Sequence, residues 1–255
     1  MKNLFDISGK VALVTGGSRG IGEMIATGFV EAGCKVYISA RKAQVCNDLA
    51  DELSKRGTCI SLPADLGTRE GIEFLSGELA KREEKLDILV NNAGAAWGEP
   101  IDDYSEDGWD KVMNINLKGP FFVTQKMLPL LRKSGTAEDP ARVINIASVN
   151  GIVPPELETY AYSSSKAGCI MLTRHLAGRL ARENIHVNAI APGPFPSHMM
   201  RATLDAFGDQ IKANNPRGRI GTPEDIAGVA IFLSSRASAY TTGATIPCDG
   251  GSAEV

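Results

Sequence analysis

The chain has 255 residues and a formal net charge of -3, with 43% hydrophobic and 22% charged residues. That mixture excludes a disordered or fibrous protein, and the length allows a core that needs no disulfide or metal. The slight negative charge argues against nucleic-acid binding through a basic surface, and no apolar run nears the ~20 residues that span a bilayer.

Short, mostly continuous apolar runs alternate with amphipathic stretches. A strand at 11–15 passes through a glycine-rich turn into a helix at 21–31. Strands at 35–39, 59–62, 86–90, 142–147, 185–190 and 245–247 follow, with helices at 43–55, 69–83, 107–133, 161–181 and 223–233 between them. Pro223 after Thr222 reads as a first-turn proline behind an N-cap. Unbroken apolar strands suit a parallel sheet covered on both faces. The expectation is a single α/β domain over residues 1–255, a doubly wound Rossmann fold with seven parallel strands and helices on both faces. The rhythm breaks at 193–220, where Met200, Leu204, Phe207 and Ile211 recur at helical spacing. A short helix on an irregular loop reads equally as a lid or as a helix packed on the core.

Cys34, Cys46, Cys59, Cys169 and Cys248 are odd in number and lack Cys-x-x-Cys spacing. They read as reduced thiols filling core volume in a cytoplasmic protein. His175, His186 and His198 have no ligand spacing, so no metal is expected. The first ten residues have neither a secretory nor a transit-peptide pattern.

The first strand runs into Thr15, Gly16, Gly17, Ser18, Arg19, Gly20, Ile21 and Gly22 and then a helix. Glycines at such a junction let backbone approach a pyrophosphate, and the helix N-terminus faces it with free N–H groups. The turn lacks the Gly-Lys-Ser/Thr ending of an NTPase loop. After the second strand, an NAD site would carry an acidic residue for the ribose 2′-hydroxyl. This chain has Ser39-Ala40-Arg41-Lys42, so Arg41 with Arg19 is placed to pair a 2′-phosphate, although two solvated arginines would look the same. Tyr162 and Lys166 lie four apart on one helical face, which brings the ammonium near the phenol. Tyr160 lacks such a partner, since Ser164 stands four residues on. Ser148 follows the fifth strand at the sheet edge where open α/β sheets bind ligands, and its flanks are not Gly-x-Ser-x-Gly.

Together these residues resemble the short-chain dehydrogenase/reductase family over essentially the whole chain. The matching motifs are the Thr15–Gly22 turn, the pair Asp65 and Leu66 beside the adenine, and Asn91-Asn92-Ala93-Gly94. Asn116, Ser148, Tyr162 and Lys166 match the family's catalytic tetrad, and Pro192-Gly193 matches its nicotinamide-side turn. The resemblance extends cofactor contacts to Asn92, Ala93, Gly94, Phe195 and Ser197. Within the family the chain is most similar to 3-oxoacyl-[acyl-carrier-protein] reductases, in the branch of rhamnolipid precursor synthesis. Phe195 and Ser197 depart from the commoner pattern, an aliphatic residue and then threonine.

The resemblance implies an NADP(H)-dependent oxidoreductase that reduces a 3-oxoacyl thioester carried on acyl carrier protein or coenzyme A. A sugar, polyol or other secondary alcohol is the alternative substrate. A nucleotide-binding regulator without activity would have no need of the intact tetrad. Tyr162 would donate the proton, Lys166 would stabilise its phenolate and bind the nicotinamide ribose, and Ser148 would hold the carbonyl oxygen. Asn116 would hold a water linking Lys166 to solvent. The family also implies a homotetramer built on 107–133, 161–181 and 244–247. Excess apolar residues there include Phe121, Phe122, Met127, Leu128, Ile170, Met171 and Leu172. No nucleic-acid or membrane partner is expected.

Overall fold

The computed structural model describes residues 3–253. Seven parallel strands form one sheet: β1 (Val11–Thr15), β2 (Lys35–Ser39), β3 (Thr58–Ser61), β4 (Ile88–Asn91), β5 (Ala141–Ile146), β6 (Ile185–Pro192) and β7 (Thr245–Cys248). Their order is β3-β2-β1-β4-β5-β6-β7, so the direction of winding reverses between β1 and β4. That reversal opens a crevice at the carboxyl ends of the strands, where ligands of such sheets bind.

Strand alternation sorts the core into two faces. Ala12 and Val14 join Ile25, Phe29, Val36, Ile38, Val90 and Ile226 on one face. Val11 and Leu13 join Tyr37, Ile72, Leu75, Leu89, Met127 and Val187 on the other. The first face is covered by α1 (Gly20–Glu31), α2 (Ala43–Leu53) and α8 (Pro223–Ser234). The second is covered by α3 (Arg69–Ala80), α5 (Gly119–Ser134) and α6 (Tyr160–Leu180), beside the shorter α4 (Glu106–Met113). Each fully buried Leu, Ile or Val stabilises the fold by about 1.5–3 kcal/mol, so both faces contribute heavily. At α8 the Thr222 cap and first-turn Pro223 stand as expected, completed by an Asp225 capping box.

One element differs from the sequence expectation. The helix predicted at 107–133 is three pieces: α4, a π turn at Asn114–Lys118, and α5. Pro120 has no N–H to return to the carbonyl of Asn116, and the ladder widens there. The segment at 193–220 carries one further helix, α7 (Arg201–Asn214). No α7 residue with a described side chain is buried.

All five cysteines are unpaired. Burial pushes the thiols of Cys34 and Cys59 up to about 12 and that of Cys248 to about 11. Among the described residues no group of His, Cys, Asp or Glu could hold a metal, and no helix is long and apolar enough to cross a membrane.

Candidate active site

The glycine-rich turn is held from below by one hydroxyl. Thr15 Oγ1 donates to the carbonyl of Val90 at 3.1 Å and accepts the N–H groups of Asn92 (2.9 Å) and Ala93 (3.1 Å). The Asn92 Nδ2 group donates back to the carbonyls of Thr15 (2.9 Å) and Gly16 (3.0 Å). The ends of β1 and β4 are thus clasped together across the winding reversal. Gly16 sits at φ +61, where a Cβ would come within 2.8 Å of the Ala93 backbone. A Cβ on Gly22 would run into the Gly16 carbonyl and the Asn92 amide. Both positions require glycine for close approach rather than for flexibility.

The N-terminus of α1 opens above this clasp. Its N-cap, Arg19, makes no side-chain cap hydrogen bond to the first turn. Arg19 is exposed, as is Arg41 just beyond β2, and among the described residues neither forms an ion pair. The Gly17 N–H donates to the Ser39 carbonyl at 3.2 Å, tying the turn to the strand end that presents Arg41. Asp65 is exposed and one of its oxygens accepts the Gly67 N–H at 3.0 Å.

Lys166 is 5% exposed, and its Nζ donates to the Ile146 carbonyl at 2.8 Å. The same ammonium lies 5.5 Å from the centre of the Tyr162 ring. Two of its three protons remain for other acceptors. A Cβ on Gly94 would lie 3.8 Å from Lys166 Nζ and 3.2 Å from Asn116 Oδ1, so those residues converge at one point. Ser148 follows β5 and accepts the Asn150 N–H at 3.1 Å, which leaves its own proton free to donate. The turn Val149–Gly151 after it packs against α6 at Lys166. The rival Tyr160 is exposed, and its hydroxyl donates to Glu158 at 3.2 Å.

Four predicted residues sit differently from expectation. Asn116 is buried with both amide donors engaged: Nδ2 donates to the Ala95 carbonyl (2.9 Å) and Ser165 Oγ (3.0 Å), and Oδ1 accepts the Ala95 N–H (2.8 Å). Its side chain holds the 92–95 loop against α6, so a relay water does not fall to the amide N–H groups. Asn92 is committed to the clasp. Leu66 and Phe195 are buried in the two core faces, so a cofactor contact at either position would come from backbone. Phe195, although within the irregular 193–220 segment, therefore belongs to the core. Ser197, in contrast, lies above the turn: a Cβ on Gly20 would be 3.1 Å from its own. Pro192 ends β6, and Gly193 N–H donates to the Cys248 carbonyl at 3.0 Å.

Sequence reasoning missed Ser165 and a buried polar chain. Ser165 Oγ donates to the Tyr162 carbonyl at 2.7 Å while accepting Asn116, which joins two tetrad positions. Behind it Asn91 donates to Thr124 and Asn145, and Asn145 donates to Thr173. The available signal was polar residues within otherwise apolar strands, since a buried polar group needs a partner.

An open parallel sheet, a glycine-rich turn under an uncapped helix, and a Tyr-x-x-x-Lys pair at the same edge define the class. The chain belongs to the short-chain dehydrogenase/reductase family, and a family model described as enoyl-(acyl carrier protein) reductase matches residues 16–253. It is 49% identical over 253 residues to the rhamnolipids biosynthesis 3-oxoacyl-[acyl-carrier-protein] reductase of Pseudomonas aeruginosa, covering 98% of this chain and 99% of that one. The solved Pseudomonas aeruginosa RhlG/NADP active-site complex matches with a TM-score of 0.96 at 49% identity, over 99% of this chain and 100% of that one. The chain is also 38% identical over 257 residues to a 2-dehydro-3-deoxy-D-gluconate 5-dehydrogenase of Dickeya dadantii, covering 98% and 97% of the two.

Proposed function

We propose that this protein is an NADPH-dependent reductase of 3-oxoacyl thioesters, carried on acyl carrier protein or coenzyme A, in fatty-acid metabolism. The observation that supports the reading is the approach of Lys166 to the Tyr162 ring where Asn116 and Gly94 also meet, with Ser148 just beyond the end of β5. The turn suits a dinucleotide phosphate: glycine at 16 and 22 lets it close tightly on the β4 end, and the N-cap of α1 makes no side-chain hydrogen bond. Arg19 and Arg41 would hold the 2′-phosphate, and Asp65 the adenine end.

When bound, the reduced nicotinamide supplies the hydride. The protein's share is orientation and the proton. Ser148 donates its free O–H to the substrate carbonyl and fixes the carbonyl carbon. The Tyr162 hydroxyl delivers the proton to that oxygen as charge develops. The buried Lys166 ammonium stabilises the resulting phenolate and has donors left for the nicotinamide ribose. Asn116 and Ser165 keep Tyr162 and the 92–95 loop in register.

The lid supports an acyl substrate, since Met199 and Phe207 are exposed and Met200, Leu204 and Ile211 half-buried. Ile152, Val153 and Leu157, between Ser148 and Tyr162, add exposed apolar surface. Each buried methylene stabilises binding by ~0.8 kcal/mol, so kcat/KM is expected to climb with chain length until the pocket ends. The check is NADPH oxidation with 3-oxoacyl thioesters of increasing length beside a panel of sugars and polyols. A flat length response with strong polyol activity would favour the second reading, a dehydrogenase of a sugar or other secondary alcohol. The relative from Dickeya dadantii supports that reading.

A homotetramer in the cytoplasm completes the proposal. Phe121, Phe122 and Met171 stay exposed on α5 and α6, while Met127 and Ile170 are buried within the chain. The exposed set suits a second subunit, and five unpaired thiols suit a reducing compartment. Light scattering at micromolar concentration is expected to give four chain masses; a monomer would remove the assembly.

A further inference from the structure

Both ends of the lid segment return to the same short stretch after β7. At the upstream end the Gly193 N–H donates to the Cys248 carbonyl at 3.0 Å. A Cβ on Gly193 would lie 2.7 Å from that of Asp249. Phe195 then plunges into the core against Gly221, whose N–H donates to the Pro194 carbonyl at 2.9 Å. At the downstream end Asn215 is only 6% exposed. Its Nδ2 donates to the Asp249 carbonyl at 2.8 Å and to Ser252 Oγ at 2.9 Å, and its Oδ1 accepts the Arg217 N–H at 2.9 Å. The Asp249 carboxylate folds the receiving turn by accepting the N–H groups of Gly251 and Ala253. Gly250, at φ +70, leaves the space that the Asn215 amide fills.

Among the described residues, α7 makes no side-chain hydrogen bond outside itself; its one such bond joins Lys212 to Asp209. A helix with no buried side chain among those described, between two fixed ends, moves as one piece about those ends.

We propose that Asn215 is a positioning residue that sets the closed position of the lid by fastening it to Asp249 and Ser252, and so controls substrate affinity. It lies outside the Tyr162, Lys166 and Ser148 constellation and acts through α7. The effect on affinity rests on the lid closing over the acyl chain; the anchor itself does not.

The test uses two variants of the full chain. Asn215→Asp keeps size and the acceptor for Arg217 but removes both donors. Ser252→Ala removes one exposed partner and is expected to fold as the parent does. Losing buried hydrogen bonds of this kind shifts a local equilibrium by about tenfold. Trypsin is therefore expected to cut after Arg201 and Lys212 about tenfold faster in Asn215→Asp, with Ser252→Ala moving less in the same direction. In the same proteins the thioester KM is expected to rise by a similar factor while kcat and NADPH affinity hold. Parental cleavage rates within 196–214 in both variants would overturn the proposal. So would faster cleavage accompanied by a fall in kcat with KM unchanged. If the parent reduced no thioester, the proposed substrate would fail, while the cleavage rates would still decide the anchor.

Discussion

Tyr162→Phe is expected to lower turnover by ~10²–10⁴ while NADPH binding survives. The substitution removes one oxygen and its proton from a half-buried ring on α6. General acid catalysis by a positioned group contributes about that range, and hydride transfer without proton delivery leaves an alkoxide with no donor. Lys166 is held away from that position, its ammonium bonded to the Ile146 carbonyl and 5.5 Å from the centre of the Tyr162 ring. Nor can Tyr160, whose hydroxyl is engaged with Glu158. Cofactor fluorescence titration alongside steady-state rates separates the two effects. Turnover near that of the parent would remove Tyr162 from the mechanism.

Arg41→Asp is expected to reverse the cofactor preference. Charge-assisted hydrogen bonds contribute ~1.5–3 kcal/mol each, toward the lower figure at exposed positions such as Arg19 and Arg41. Two of them give a preference for NADPH over NADH of roughly 10²-fold. Aspartate at 41 removes one cation and sets a carboxylate against the 2′-phosphate, so KM for NADPH is expected to rise by about that factor. Turnover with NADH stays close to the parent value, because the residues at the nicotinamide end are untouched. Comparable use of both cofactors by the parent, or unchanged KM values in the variant, would overturn the reading of the β2 end.

The strands were legible because a sheet covered on both faces writes each strand as an unbroken apolar run between breakers. The tetrad and the glycine turn were legible because their spacing is local: Tyr162 and Lys166 share one helical face, and the glycines share one turn. What failed was non-local. Phe195 reads as lid because its neighbours are irregular, yet its partner Gly221 lies far along the chain. Leu66 and Asn92 lie in motifs associated with ligand contact, but packing against Val123 and its neighbours and the Thr15 clasp claim their side chains. The predicted helix at 107–133 ran through the π turn because apolar periodicity survives one widened turn; only Gly119-Pro120 marked the place. Asn215 carried no local signal, since its partners Asp249 and Ser252 are set by the end of β7.

The buried thiols bear on how the protein weathers oxidants. Peroxide and alkylating reagents attack the thiolate, which burial makes scarce at Cys34 and Cys59 by pushing their thiols up to about 12. Cys46 and Cys169 are likewise pushed up by burial, and Cys248 with them. Glutathione, disulfide stress and sulfenic acid formation thus find no ready entry while the fold is intact. The hydride chemistry proposed for the crevice at the strand ends therefore runs apart from the cysteine thiols.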